Sequence, residues 1–71
     1  MLLKRGSTGP EVKTLQLELN KIGVECKADG IYGVGTETAV KTFQKASGID
    51  ADGIVGPATR TKLDESLAAL G

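Results

Sequence analysis

Two closely spaced carboxylates come nearest to a catalytic pair in this sequence. Asp50 and Asp52 lie in the segment Gly-Ile-Asp-Ala-Asp-Gly, and glycoside hydrolysis uses two carboxyl groups about 5 to 9.5 Å apart across a cleft. Asp and Gly at this density are also typical of a turn, in which carboxylates accept hydrogen bonds from nearby backbone N–H groups. We therefore predict that both aspartates are turn residues and that the chain is not an enzyme.

A nucleophile or a metal site would need partners that the composition does not supply. The chain has one cysteine, Cys26, and no histidine, so neither its thiol nor any hydroxyl has an imidazole base. A single cysteine forms no internal disulfide, and zinc disfavours carboxylates as its only ligands. The sequence predicts no catalytic residue, no metal and no cofactor.

Two Asp-Gly pairs, at Asp29 and Asp52, raise the possibility of paired calcium loops. If each aspartate stood at position 5 of an EF-hand loop, position 12 would need a bidentate Glu. That position holds Thr36 in one segment and Thr59 in the other. We predict no calcium site, and we expect both aspartates to serve as turn residues.

Four uncharged polar side chains are candidates for ligand contact. Gln16 and Gln44 each follow a residue of an apolar stripe; we expect their amides to bond loop backbone, and ligand contact is the alternative. Thr36 and Thr59 fall in the first turn of predicted helices. Their hydroxyls are expected to bond back to the entering loop, again with ligand contact as the alternative.

Tyr32 is the only tyrosine, and Phe43 is the only other aromatic residue. We predict that the Tyr32 ring closes one end of the core while its hydroxyl reaches water, a common arrangement for tyrosine. Contact of the ring edge or the hydroxyl with a ligand is the alternative.

A loop-helix unit that occurs twice positions these residues. The segment Asp29–Val40 aligns with Asp52–Leu63 at an offset of 23, with 6 of 12 positions identical. In each copy Asp-Gly supplies a turn, an apolar pair follows, and a second glycine precedes a helix. We predict that the apolar loop residues close the ends of the core; they are Ile31, Tyr32, Ile49, Ile54 and Val55. The pairs Ile31-Tyr32 and Ile54-Val55 could each form a two-residue bridge, but not a sheet.

The apolar spacing predicts three amphipathic helices, at about 10–22, 34–47 and 57–69. Prolines at positions 10 and 57 suit the first helical residue, and glycines at positions 23 and 48 suit helix ends. Short helices are marginal alone in water, so they must pack on one another. We predict an all-α, compact three-helix bundle forming a single domain over residues 1–71. The expected buried stripes are Val12, Leu15, Leu19 and Ile22; Ala39, Val40, Phe43 and Ala46; and Leu63, Leu67 and Leu70.

Length and charge narrow the possible partners. A chain of 71 residues with nine basic and nine acidic residues has no net charge. It therefore lacks the basic surface expected for binding nucleic acid or a membrane surface. Its N-terminus also lacks the apolar run of about 7 to 15 residues that an export signal requires.

The spaced pattern resembles the peptidoglycan-binding domain family, three-helix modules attached to bacterial and phage cell-wall hydrolases, including endolysins. The resemblance runs from about Leu2 to Leu67, nearly the whole chain. The residues that carry it are Leu3-Lys4-Arg5-Gly6-Ser7-x-Gly9, Val12, Leu15-Gln16, Leu19-Asn20 and Gly23; Asp29-Gly30-Ile31-Tyr32-Gly33, Thr36, Ala39-Val40 and Phe43-Gln44; and Gly48-Ile49, Asp52-Gly53-Ile54-Val55-Gly56-Pro57, Thr59 and Leu63.

The resemblance implies a non-catalytic module that binds peptidoglycan, through a glycan strand or a stem peptide, and concentrates a covalently attached hydrolase on it. The expected location is the bacterial cell wall, outside the cytoplasm. The similar pro-domains of matrix metalloproteinases suggest an alternative, a module that covers a partner protein, although Cys26 lacks their cysteine-switch segment. The candidate peptidoglycan-binding residues are Arg5, Gln16, Tyr32, Thr36, Gln44 and Arg60.

Arg60 marks a departure from the family pattern, which often has Trp after the threonine of the third helix. Here Arg60 follows Thr59, so no indole is available for stacking on a ligand. The planar guanidinium would suit a carboxylate of a stem peptide. Lys4 and Arg5 are expected to be solvated, and such a ligand would suit them as well.

Overall fold

A computed structural model describes residues 2–70 of the chain and contains three helices. They are α1 (Pro10–Lys21), α2 (Val34–Ala46) and α3 (Pro57–Leu70). The predicted all-α three-helix fold is confirmed. The helices begin at the expected residues, and the predicted ends at 22, 47 and 69 each differ from the observed ends by one residue.

Glycine and proline delimit the helices. Gly9, with φ of 120°, precedes α1, and Pro10 opens the helix, where its missing N–H costs no hydrogen bond. Gly33 precedes α2, and Gly23 and Gly48 follow the ends of α1 and α2 with positive φ. The chain can therefore reverse direction within a few residues of each helix end.

The core combines one face of each helix with two loop residues. Val12, Leu15 and Leu19 of α1 are buried, whereas Leu17, off the stripe, is 47% exposed. The remaining buried apolar side chains are Tyr32 and Val55 from the loops, Ala39, Val40 and Phe43 from α2, and Leu63 from α3.

Four apolar residues do not take the buried positions predicted for them, and one of these is Ala46 in the last turn of α2, which is exposed. The other three are large. Ile31 is 57% exposed, Ile54 is 37% exposed and Leu70 is 60% exposed. In each loop the next residue, Tyr32 or Val55, enters the core instead, because successive residues of an extended segment point to opposite sides. Leu70 is the last residue of α3 and lies beyond the part of the helix that packs on the core.

The N-terminal segment joins the two loops by short antiparallel bridges. Leu3 pairs with Val55, and Thr8 pairs with Ile31. No helix in residues 2–70 combines the length and apolar character needed to cross a membrane.

Candidate functional site

Gln16 is the centre of the first loop-helix unit. Its side chain is fully buried, and Nε2 lies 3.1 Å from Asp29 Oδ1, 3.0 Å from the Ile31 carbonyl and 2.9 Å from Thr36 Oγ1. Its Oε1 accepts a hydrogen bond of 2.9 Å from the Gly30 N–H. One amide thus joins α1, the turn and the first residues of α2.

Gln44 occupies the same place in the second unit. Its Nε2 lies 2.9 Å from Asp52 Oδ1, from the Ile54 carbonyl and from Thr59 Oγ1. Its Oε1 accepts a hydrogen bond of 2.9 Å from the Gly53 N–H. The prediction that both glutamines bond loop backbone is confirmed.

Threonine and aspartate complete each network. Thr36 Oγ1 also lies 3.4 Å from the Ile31 carbonyl, so its hydroxyl reaches back to the entering loop as predicted. Asp29 Oδ1 accepts a second hydrogen bond, of 3.0 Å, from the Ile31 N–H, and Asp52 receives the same contact from Ile54. These hydrogen bonds to the ionised carboxylates lower the pKa of both aspartates. Both carboxylates therefore stay charged further into the acidic range than a free aspartate.

Tyr32 connects the two units. Its side chain is 1% exposed, and its hydroxyl donates to the Gly53 carbonyl in the second loop. The prediction that this hydroxyl reaches water is wrong, because the second loop covers it. Burial raises the pKa of Tyr32, and nearby Glu37 and Asp52 reinforce the shift.

The two candidate arginines lie apart from these networks and face carboxylates of the chain itself. The Arg5 guanidinium is 3.8 Å from Glu37 on an exposed surface. Arg60 forms a bidentate pair with Glu18 of α1, at 3.0 and 2.9 Å, and a hydrogen bond of 2.7 Å with Asp64. These hydrogen bonds raise the pKa of Arg60. A ligand carboxylate that bound Arg60 would have to compete with the carboxylates of Glu18 and Asp64.

The chemistry available to Cys26 is limited. Its thiol lies 3.4 Å from the Gln16 carbonyl, and burial raises its pKa, which disfavours the nucleophilic thiolate.

No group of three metal-ligating side chains occurs among residues 2–70. Every buried side-chain nitrogen or oxygen in that range has a hydrogen-bond partner. The surface above the networks, rather than their interior, is therefore open to a ligand.

Each loop-helix unit carries a cleft on its outer side. The first cleft has a volume of about 300 Å³ and the second about 480 Å³. Five pairs of aligned residues line them: Asp29 and Asp52, Ile31 and Ile54, Gly33 and Gly56, Gly35 and Ala58, Thr36 and Thr59. The first cleft is completed by Glu25, Cys26 and Lys27, and the second by Leu2, Ile49, Asp50 and Pro57.

A groove of about 380 Å³ lies between α1 and α3. Leu3, Val55 and Pro57 supply its apolar part, and Glu11 and Arg60 supply charged groups. Of the six candidate peptidoglycan-binding residues, only Arg60 lines this groove and only Thr36 lines a cleft; Thr59, whose alternative role was ligand contact, lines the second cleft. Gln16, Gln44 and Tyr32 lie beneath the surface and hold the loops in place.

The sequence matches a model of a known protein family. The model described as "Putative peptidoglycan binding domain" matches residues 8–63, which include both loop-helix units. The chain belongs to the peptidoglycan-binding domain family. The expectation drawn from the spaced motifs is confirmed at the level of the family.

The relatives of this peptidoglycan-binding domain are larger proteins. The N-acetylmuramoyl-L-alanine amidase CwlL of Bacillus licheniformis is 45% identical over 73 residues, covering 99% of this chain and 19% of that protein. The spore cortex-lytic enzyme of Halalkalibacterium halodurans is 38% identical over 66 residues, covering 92% of this chain and 20% of that protein. The chain thus spans about a fifth of the length of these curated relatives.

Solved structures share the fold. The SleB N-terminal domain superposes with a TM-score of 0.89 at 34% identity, covering 94% of this chain and 93% of that one. An L,D-transpeptidase from Xylanimonas cellulosilytica gives a TM-score of 0.88 at 51% identity, covering 93% of this chain and 33% of that one.

Sequence reasoning missed two features of the surface. The clefts depend on Ile31 and Ile54 pointing outward, whereas we expected both in the core. The Glu18–Arg60 pair joins residues 42 positions apart, and no local pattern marks Glu18. The two aligned Asp-Gly-Ile segments were the one sequence signal that pointed to a pair of similar surfaces.

Proposed function

We propose that this domain is a non-catalytic targeting module, which binds peptidoglycan and concentrates a covalently attached hydrolase on it at the bacterial cell wall. The match to the family model over residues 8–63 carries the proposal. The relatives support it as well, because the chain corresponds to about a fifth of an amidase and of a spore cortex-lytic enzyme.

The mechanism that we propose is an increase in effective concentration. A weak site gains apparent affinity when the polymer repeats its ligand and when the catalytic partner is tethered to it. The buried glutamine networks suit this role, since they hold the loops rigid before a ligand arrives and so reduce the entropy lost on binding.

We place the ligand-binding surface on the clefts and assign Gln16, Gln44 and Tyr32 a positioning role beneath it. Their polar groups are already engaged within the chain. Thr36 lines the first cleft, although its hydroxyl is also engaged. Arg5 and Arg60 are paired with carboxylates and line neither cleft, so a contact between either of them and the ligand would lie outside this surface.

Retention on insoluble peptidoglycan sacculi tests the binding. The purified chain is incubated with sacculi, with cellulose and with chitin, and the bound fraction is measured after sedimentation. We expect selective retention on sacculi. A folded chain that stays in the supernatant would contradict the proposal and would favour the alternative, a module that covers a partner protein.

A fusion experiment tests the targeting. A peptidoglycan hydrolase catalytic domain is assayed alone, fused to this chain, and mixed with it as a separate protein. We expect only the fusion to accelerate digestion of sacculi, with no change on soluble muropeptides. The chain by itself should release no soluble fragments; release of fragments would contradict a non-catalytic role.

A further inference from the structure

The two loop-helix units agree in the geometry of their interiors. The distances from glutamine Nε2 to the aspartate are 3.1 and 2.9 Å, those to the isoleucine carbonyl are 3.0 and 2.9 Å, and those to the threonine hydroxyl are both 2.9 Å. Because the same contacts fix both loops, the surface residues of each loop are held in equivalent positions.

The outer surfaces share five aligned lining residues, although packing does not require it, and they differ in charge where Lys27 of the first cleft corresponds to Asp50 of the second. Ile31 and Ile54 are partly exposed, and the residue after each of them supplies the buried side chain. Each isoleucine lines its cleft beside an aspartate whose Oδ1 is held by two hydrogen bonds. Each cleft therefore offers a fixed carboxylate next to an apolar surface.

The charges in both clefts favour a cationic group. The first cleft is lined by two carboxylates, Glu25 and Asp29, and one ammonium, that of Lys27. The second is lined by Asp50 and Asp52 with no basic residue. An ammonium on an aliphatic chain would pair with the aspartate and pack its methylene groups on the isoleucine.

We propose that the first and second clefts are two similar ligand sites, which bind amino groups of the peptide stems on two repeats of one peptidoglycan polymer. This inference rests on the proposed function and gives its site a ligand chemistry and a stoichiometry of two. Binding at one cleft raises the effective concentration of the polymer at the other.

Nuclear magnetic resonance with a soluble probe tests the two sites directly. A monomeric disaccharide-tetrapeptide muropeptide with a free amine is titrated into the ¹⁵N-labelled chain. We expect the amides of Gly33 and Gly35 in the first cleft, and of Gly56 and Ala58 in the second, to shift together. Shifts confined to one cleft would overturn the inference.

Substitutions that introduce a positive charge at the cleft surface test how much affinity the second site adds. Ile31→Lys and Ile54→Lys each place an ammonium in one cleft, and Leu17→Lys is the matched control, since Leu17 is similarly exposed and lines no cleft. We expect each cleft variant to bind sacculi about tenfold or more weakly, and the double variant to lose binding, while the control binds normally.

The affinity of the untouched cleft for the monomeric muropeptide should change by less than about twofold in each single variant. Should a lysine variant fail to fold, Asp29→Asn and Asp52→Asn test the same clefts, because an asparagine keeps the Oδ1 acceptor and removes the charge. An unchanged affinity for sacculi in a folded single variant would overturn the two-site inference.

Chemical modification of the polymer tests the ligand chemistry. Sacculi whose free amines have been acetylated should retain much less of the chain than untreated sacculi. Equal retention would overturn the assignment of amino groups. If the unmodified chain fails to bind untreated sacculi at all, the proposed function itself fails; if it binds through one cleft, only the further inference fails.

Discussion

At the scale of single residues, the buried glutamines are the polar groups on which the loops depend most. Gln44 lies within hydrogen-bond distance of four groups, including the buried Gly53 N–H and the Thr59 hydroxyl. A buried donor or acceptor that loses its partner costs about 1 to 3 kcal/mol. Replacing either glutamine should therefore cost more stability than replacing an exposed polar residue.

We expect Gln44→Ala to lower the free energy of unfolding by about 2 to 4 kcal/mol, since it leaves several buried groups without partners. Urea denaturation followed by circular dichroism measures the change. Lys45→Ala, at the exposed neighbouring position, is the control and should change stability by less than about 0.5 kcal/mol. A loss below about 1 kcal/mol for Gln44→Ala would contradict the role of this network.

The two loop aspartates make stability depend on pH in the acidic range. Hydrogen bonds lower their pKa in the folded chain below the unfolded value of about 3.9. Their contribution is therefore present above that value and is lost as the pH falls through the folded pKa.

We expect the melting temperature to fall more steeply between about pH 4 and pH 2 for the native chain than for the double variant Asp29→Asn, Asp52→Asn. The amide oxygen of asparagine preserves the acceptor and does not titrate in this range. Calorimetry at stepped pH values makes the comparison, and parallel curves for the two proteins would show that these carboxylates do not contribute.

At the scale of the elements, glycine has opposite roles in a turn and in a helix. Gly53 has a φ of 74°, and a Cβ there would lie 2.9 Å from Glu37 Cγ. Gly35 lies in the first turn of α2, where a Cβ would meet nothing within 4 Å. Its aligned partner in α3 is already an alanine, Ala58.

We expect Gly35→Ala to raise the free energy of unfolding by about 0.5 to 1 kcal/mol, because alanine loses less backbone freedom in a helix. Gly53→Ala should lower it by about 1 to 2 kcal/mol, because the positive φ and the close approach strain any side chain. Thermal unfolding of both variants tests the pair, and a shift of the same sign in both would contradict this assignment.

At the scale of the whole molecule, the N-terminal segment and the Glu18–Arg60 pair join parts that are distant in sequence. The N–H of Leu3 donates to the Val55 carbonyl at 3.2 Å, and the Val55 N–H donates to the Leu3 carbonyl at 2.8 Å. Leu3 also packs on the core. The second loop is thus held by residues more than 50 positions away.

Removal of residues 1–5 should lower the free energy of unfolding by about 2 kcal/mol, through two backbone hydrogen bonds and part of one leucine contact. Chemical denaturation measures it, with Leu70→Ala as a control because Leu70 is 60% exposed. An unchanged midpoint after the deletion would mean that the second loop needs no support from the N-terminus.

The sequence alone determined the helices and the family. Glycine or proline precedes each helix, glycine follows α1 and α2, and the apolar spacing selects the buried face, so these local signals located α1, α2 and α3 to within one residue. The position of Gln16 and Gln44 directly after a residue of an apolar stripe also allowed their hydrogen bonds to loop backbone to be predicted. Each of these features depends on residues that are close in sequence or on a spacing that is repeated along it.

Only the tertiary structure decided which side chains face outward and which charges pair. The hydroxyl of Tyr32 bonds to Gly53 because the second loop folds over it, and Arg60 meets Glu18 because α3 packs on α1. Ile31 and Ile54 face solvent because their neighbours fill the core. Such contacts join residues far apart in sequence, and they are fixed by the packing of the whole chain rather than by any local preference.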